Sequence, residues 1–347
     1  MIDSRMHVCL VCHTEPDVWD GGLKSIDVVL PRFLDRIGTV QDCQGNSPKI
    51  TWCLTSCVAR QRPGPFLKLL TQGHEIGIHS HYPGADGKLE HQQELNRESL
   101  DGFGEWLPEL CRTVTDAGFP KPRTHVTWMF AYRDSMTRVL SKAGIDIDCS
   151  VCYGGAHYLP DGFLLADSRD RSTDKPYRMS IPDHCVEGDS SMVELPVSGG
   201  FGDYWIPDNE GCFEHFAPIA SDDEAARMIE LFHRRMETLN SGETDIFHMH
   251  FHLYEFLLPG GLDESRLERA MTILRKMASD SRVRFSTTSE AVDDWLTYYN
   301  IRTGINLSKK NDSEEKYGRL KVCYLLRNIL QTVFQHDLYT AAGKSPV

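Results

Sequence analysis

Short apolar runs alternate with helical-period stretches along most of the chain. Met6 to Cys12 (MHVCLVC) is almost continuously apolar, as a parallel strand covered on both faces requires. Ser25 to Ile37 carries apolar residues at helical spacing, interrupted by Pro31. Lys49 to Leu54 (KITWCL) reads as a second strand, and Pro65 to Thr71 as a helix that starts on a proline. Gly73 stops that helix. Ile76 and Ile78 then beat out a third short strand within GHEIGIHSHYP, Gly73 to Pro83. Strand, helix, strand, helix, strand is an α/β pattern.

The alternation continues. A helix is expected over Glu90 to Ala117, broken near Gly102, Gly104 and Pro108. The strand His125 to Phe130, the helix Ser135 to Ala143 and the strand Ile145 to Val151 follow. Residues 153 to 192 are rich in Gly, Pro, Asp and Ser, and read as long loops beside a site or as an inserted subregion. Val193 to Ser198 (VELPVS) is a short strand. Ser221 with Glu224 forms a capping box for a helix reaching about Leu239. Asp245 to His252 alternates cleanly, with Phe247, Met249 and Phe251 on one face and His248, His250 and His252 on the other. A helix over Asp263 to Ala278, the strand VRFST and a helix over Ser289 to Tyr299 complete the pattern. The barrel-forming part therefore spans residues 1–300. Over 301–347 a polar linker leads into an amphipathic helix, whose stripe runs from Val322 to Phe334. That helix is expected to dock on the barrel or on a partner subunit, which allows a homo-oligomer.

Composition narrows the partners. Fifty acidic residues against 37 basic ones give a net charge of −13, so nucleic acid and anionic membrane are not expected as main partners. No apolar run reaches the roughly 18 residues that a spanning helix needs. MIDSRMHVCLVC lacks the long apolar stretch and small-residue site of a secretory signal, so the expected location is cytoplasmic. Cys9/Cys12 and Cys149/Cys152 have zinc-like or redox-like spacing, but Cys9 and Cys12 fall on opposite faces of a regular strand. Free thiols in a reducing cytosol fit them better.

Candidate chemistry gathers at strand ends. His79 and His81 lie two apart, on one face of a strand tip, so both imidazoles can point at one metal ion. HTEPDVWDGG crowds His13, Glu15, Asp17 and Asp20 into a loop just after a buried strand. Three histidines on one strand face are unlike a packed core, because each buried ring nitrogen needs a partner. One or two of His248, His250 and His252 are thus expected to line a polar cavity.

Four of these pieces, in this order, resemble the polysaccharide deacetylase family, the carbohydrate esterases of NodB homology. The resemblance covers residues 6 to 299 and implies a distorted (β/α) barrel of seven strands holding a divalent metal. HTEPD stands at the first family motif, which places a general base at His13 and a ligand at Glu15, with Asp17 open to either role. GHEIG and His79-Ser80 match the second motif, but Pro83 occupies the place of its second histidine, so His81 becomes the replacement ligand. WMFAYRD matches the third at Tyr132; Ala131 replaces a proline, Met129 stands at the arginine position, and Arg133 is the candidate substitute. HFHLYE offers His252 as the acid for the leaving amine. The resemblance implies removal of an N-acetyl group from a carbohydrate or sugar-linked intermediate, with zinc as the expected metal and cobalt, nickel or manganese as alternatives. Trp128, Tyr132, Arg133 and His250 are expected to contact the sugar. Two other readings stay open: a degenerate barrel that binds carbohydrate or a partner without catalysis, and a metal held by His250 and His252 with His79 and His81.

Overall fold

A computed structural model describes residues 4–17, 22–81, 103–132, 134–152, 156–158, 164–168, 173–181, 183–198, 219, 221–258 and 261–303. The chain divides into two units, Met1–Tyr298 and Tyr299–Val347. The amphipathic helix expected over 322–334 lies outside the described residues.

The first unit is built on one sheet. Its strands are β1 (Arg5–Thr14), β2 (Ile50–Leu54), β3 (Glu75–Ser80), β4 (Thr124–Thr127), β5 (Ile147–Asp148), β8 (Tyr177–Arg178), β9 (Val193–Glu194), β10 (Thr244–Phe251) and β13 (Val283–Phe285). Two small antiparallel pairs stand apart, β6 (Ala156–Tyr158) with β7 (Leu164–Asp167), and β11 (Leu257–Leu258) with β12 (Gly261–Leu262). The sheet order is β10-β1-β2-β3-β4-β5-β9-β8, with β13 beside β1. All of these pairings are parallel except β8 with β9. Among the described residues nine strands therefore make the sheet, where the family resemblance implies seven. The sequence pattern marks β13 as the strand VRFST and leaves out β8, which at two residues is too short to give a periodicity. Beyond β9 the chain returns to β10. Ser198 N donates to the His248 carbonyl (2.9 Å), and His248 N donates to Ser198 Oγ (2.9 Å), so the sheet curls round on itself.

This curl explains the sequence pattern. Met6, Val8, Leu10 and Cys12 face the helical layer and join the main apolar core, while His7, Cys9, Val11 and His13 point inward. Partners in a parallel ladder point the same way, so Val11 brings His250 inward, and His13 brings Cys53. Helices α1 (Leu30–Ile37), α2 (Ser56–Gln61) and α3 (Pro63–Leu70) cover the outer face with α4 (Phe103–Asp116), α5 (Asp134–Ala143), α6 (Asp222–Glu237) and α7 (Glu264–Ala278), while α8 (Thr288–Thr303) starts at the N-terminal ends of the strands, where Asp294 meets His7 and Ser289 meets Glu75. A π-helical turn, Ser25–Val29, leads into α1, which puts Pro31 in the first turn of the α-helix, where a missing N–H is tolerated. The capping box at Ser221 forms as its spacing predicts.

Gly77, inside GHEIG, has a steric cause. A Cβ there would lie 2.7 Å from Cys53 Sγ and 2.8 Å from the Thr124 carbonyl oxygen. Only a bare backbone lets β3 pass between β2 and β4 at that height.

Candidate metal centre

The C-terminal ends of β1, β3 and β10 open on one inner cluster. Glu15 follows β1, His79 lies near the end of β3 with His81 just beyond it, and His252 follows β10. All four are buried, with Glu15 at 7 % and His79 at 1 % relative exposure.

Glu15, His79 and His81 each offer one ligand atom, and these atoms all lie within 4.8 Å of one another. His79 Nδ1 lies 3.2 Å from the Val126 carbonyl, to which it donates. That bond fixes the tautomer and leaves the Nε2 lone pair facing inward. His79 Nε2 is 2.9 Å from His81 Nε2 and 3.5 Å from Glu15 Oε2, and His81 Nε2 is 2.5 Å from the same oxygen. A cation with ligand distances of about 2.0–2.2 Å needs donors about 3.3 Å apart, and the observed separations bracket that value. Burial pushes the Glu15 carboxyl up, but His81 and His79 pull it well below the usual range, so it stays ionised. Burial brings the His79 pKa down to about 4, so this imidazole is neutral near pH 7. A charged carboxylate with inward-facing neutral imidazole is the donor chemistry a divalent cation requires.

His252 stands on the other oxygen of Glu15, with Nε2 3.3 Å from Oε1. Its Nδ1 is 3.0 Å from Glu255 Oε1, and its backbone N–H donates to Glu255 Oε2 at 3.0 Å. The Tyr254 ring stacks on His252 at 4.7 Å, and its hydroxyl donates to Glu15 Oε1 at 3.2 Å. Burial lowers the His252 pKa, but the hydrogen bond and charge of Glu255, with Glu15, outweigh it and raise the value above the ordinary one.

His13 completes the cluster. Its ring packs at 4.8 Å from His79, 5.2 Å from His250 and 4.9 Å from His252. Burial, reinforced by the neighbouring histidines, pushes its pKa well below the usual range. Among the described residues His13 Nε2 has no hydrogen-bond partner. Phe130 packs 5.5 Å from His13 and 5.1 Å from His250, with φ of 53°, a left-handed backbone that a non-glycine residue holds only under constraint. The Trp128 ring lies 6.4 Å from that of His81.

Other expected site residues stand elsewhere. Asp17 accepts from the backbone amides of Lys24 (2.8 Å) and Ser25 (3.2 Å), so both its oxygens serve the turn that leads into α1. Tyr132 points to the outer side of the sheet, where its hydroxyl is 3.0 Å from Thr137 Oγ1 and its ring meets His125 and His184. Arg133 lies outside the described residues. His250 reaches the cluster through its ring contacts with His13 and Phe130, but supplies no atom to the group of three donors. Three residues of the cluster escape the sequence reading: Phe130, Tyr254 and Glu255. The three-residue step from His252 to Glu255, which folds into a reciprocal cap, was the available signal for Glu255.

No protein-family model and no curated protein matches the chain. Solved structures do match. PuuE allantoinase shares 12 % identity over 85 % of this chain and 91 % of its own, with a TM-score of 0.53. A family 4 carbohydrate esterase from Streptomyces lividans shares 12 % identity, covering 80 % and 90 %, with a TM-score of 0.36. Peptidoglycan deacetylase PdaC from Bacillus subtilis shares 11 %, covering 88 % and 100 %, with a TM-score of 0.37. The solved structures matched thus include polysaccharide deacetylases and family 4 carbohydrate esterases, at low sequence identity. The likeness to PuuE allantoinase is one of fold.

Proposed function

We propose that the chain is a cation-dependent hydrolase that removes an N-acyl group, N-acetyl in the simplest case, from a carbohydrate or sugar-linked substrate. The observation that carries this reading is the convergence of Glu15, His79 and His81, with His252 on the far oxygen of Glu15. Glu15, His79 and His81 would hold the cation; the mixed nitrogen and oxygen donor set suits zinc and admits cobalt, nickel or manganese. Such an ion supplies Lewis acidity toward a carbonyl oxygen and lowers the pKa of an attacking water.

The protein's own groups divide the proton work. His13 is neutral near pH 7, and its Nε2 accepts the proton of the attacking water. His252 holds a proton above the ordinary histidine range because Glu255 pairs with its Nδ1. It delivers the Nε2 proton to the departing amine. Two histidines driven apart by their surroundings thus take the base and acid roles. Trp128 and Phe130 border the cluster with aromatic faces of the kind that pack on sugar rings.

The test is direct. Metal-free protein is loaded with zinc, cobalt or nickel and assayed for free amine from N-acetylated sugars, alongside His79→Ala. Release that depends on the ion and is lost in His79→Ala is expected. A folded His79→Ala variant that keeps stoichiometric metal and full activity overturns the reading. A wild-type protein that takes up none of these ions favours a binding barrel without catalysis.

A further inference from the structure

A second donor cluster lies in the segment between β8 and β9, where it meets the first turn of α5. Asp183, His184 and Cys185 each present one ligand atom, and these atoms all lie within 4.8 Å of one another. Three consecutive residues seldom aim side chains at one point, and here the surroundings hold them there. The His184 backbone N–H and its Nδ1 both lie 2.9 Å from Asp134 Oδ1. Its carbonyl accepts from the Tyr177 hydroxyl at 2.7 Å, and its ring packs on Tyr132 with centroids 4.6 Å apart.

An imidazole that donates through Nδ1 to a carboxylate leaves the Nε2 lone pair as its outward group. This carboxylate–histidine pairing is the usual outer support of a zinc-ligating histidine. His184 Nε2 stands 3.3 Å from Cys185 Sγ. Zinc bonds of about 2.3 Å to sulfur and about 2.0–2.1 Å to nitrogen put the two donors about 3.6 Å apart in a tetrahedron. The Cys185 N–H donates to Asp183 Oδ1 at 3.1 Å, a turn that brings the carboxylate back toward the thiol.

We propose that Asp183, His184 and Cys185 form a second cation site, supported by Asp134 and selective for zinc. A thiolate, an imidazole and a carboxylate favour zinc over the hard cations magnesium and calcium. Ligation here ties the segment between β8 and β9 to the start of α5. The site shares no ligand with Glu15, His79 and His81, and it holds the only sulfur of the two donor sets, so the two are separable by spectroscopy.

The experiment titrates cobalt(II) into the reduced, metal-free full-length protein. A thiolate-to-cobalt charge-transfer band in the near ultraviolet is expected, abolished by zinc and absent in Cys185→Ser and in His184→Ala. The band persists in Glu15→Gln, which instead loses one bound equivalent that carries no sulfur signature. Three results overturn the proposal: no thiolate band in the wild-type protein at saturating cobalt, a band that survives Cys185→Ser, or one that disappears in Glu15→Gln. The wild-type measurement decides even if a variant fails to fold.

Discussion

Glu15 and Glu75 are two glutamates at opposite ends of the same parallel strands, and their surroundings differ in kind. The Glu75 carboxylate accepts from the hydroxyls of Thr51 (3.3 Å), Thr124 (2.7 Å), Thr288 (3.0 Å) and Ser289 (2.8 Å), and from the Ser289 backbone N–H (2.9 Å). Neutral donors from β2, β4 and α8 surround it. It ties the N-terminal ends of the strands together and asks for nothing more. Glu15 is surrounded by imidazoles and a tyrosine, and the lone pair of His79 turns toward the same space. A saturated carboxylate stabilises the fold, whereas one that shares its space with inward lone pairs has the surroundings that the proposed cation would need. The ends of the strands thus separate stability from chemistry, as in barrels generally.

Four measurements bear on that contrast. The largest effect is expected for Glu15→Gln, which should reduce amine release to background. It should also remove one site's share of the rise in melting temperature on adding zinc, worth about 2.7 kcal/mol at a hundredfold excess over Kd, and leave the share that belongs to Asp183, His184 and Cys185. Glu75→Gln should leave the zinc-dependent rise intact, and a rise lost equally in both variants breaks the distinction. Next, His252→Ala should lower turnover about 10²–10⁴-fold, the usual worth of a positioned proton donor. Because the His252 pKa is raised, wild-type activity should fall as pH climbs through that value, and the residual activity of the variant should lack this alkaline limb. The stability that His252 adds follows the same sign: it is complete below the ordinary histidine pKa and lost as pH rises through the raised one.

Third, Glu75→Ala should cost about 2–4 kcal/mol in urea unfolding, because several buried donors lose their acceptor at once. The folded fraction should keep its activity. Last, Gly77→Ala should cost about 1–3 kcal/mol, the range for forced overpacking, since its Cβ would meet the Thr124 backbone at 2.8 Å. A neutral result there would mean that β3 can shift, and His79 should then move with it and weaken zinc binding.

Much of this was legible from residue order. Period-two alternation places His248, His250 and His252 on one face of β10, and the register with β1 turns that face inward. The two-residue step from His79 to His81 likewise predicted two imidazoles on one object. The local code was silent wherever partners come from distant strands. Asp17 and Glu15 are equally acidic and two residues apart, yet one caps a turn and the other meets histidines from β3 and β10. Tyr132 matched a motif by position, but the short 3₁₀ turn Trp128–Phe130 and the left-handed Phe130 carry the chain over, and its ring ends on the outer side of the sheet. Asp183, His184 and Cys185 lie in a stretch without periodicity, and Asp134, 50 residues away, orients the His184 ring together with Tyr132.

The sequence by itself determined the order of most strands and helices, the two-sided burial of β1, and the histidine faces, because these depend on local periodicity and on burial. Tertiary structure decided which carboxylate joins the histidines, which histidine keeps its proton, and which glutamate serves the fold. Those outcomes depend on hydrogen bonds and charges brought within about 3 Å by strands far apart in the chain, and the electrostatics of a buried group is set by such neighbours.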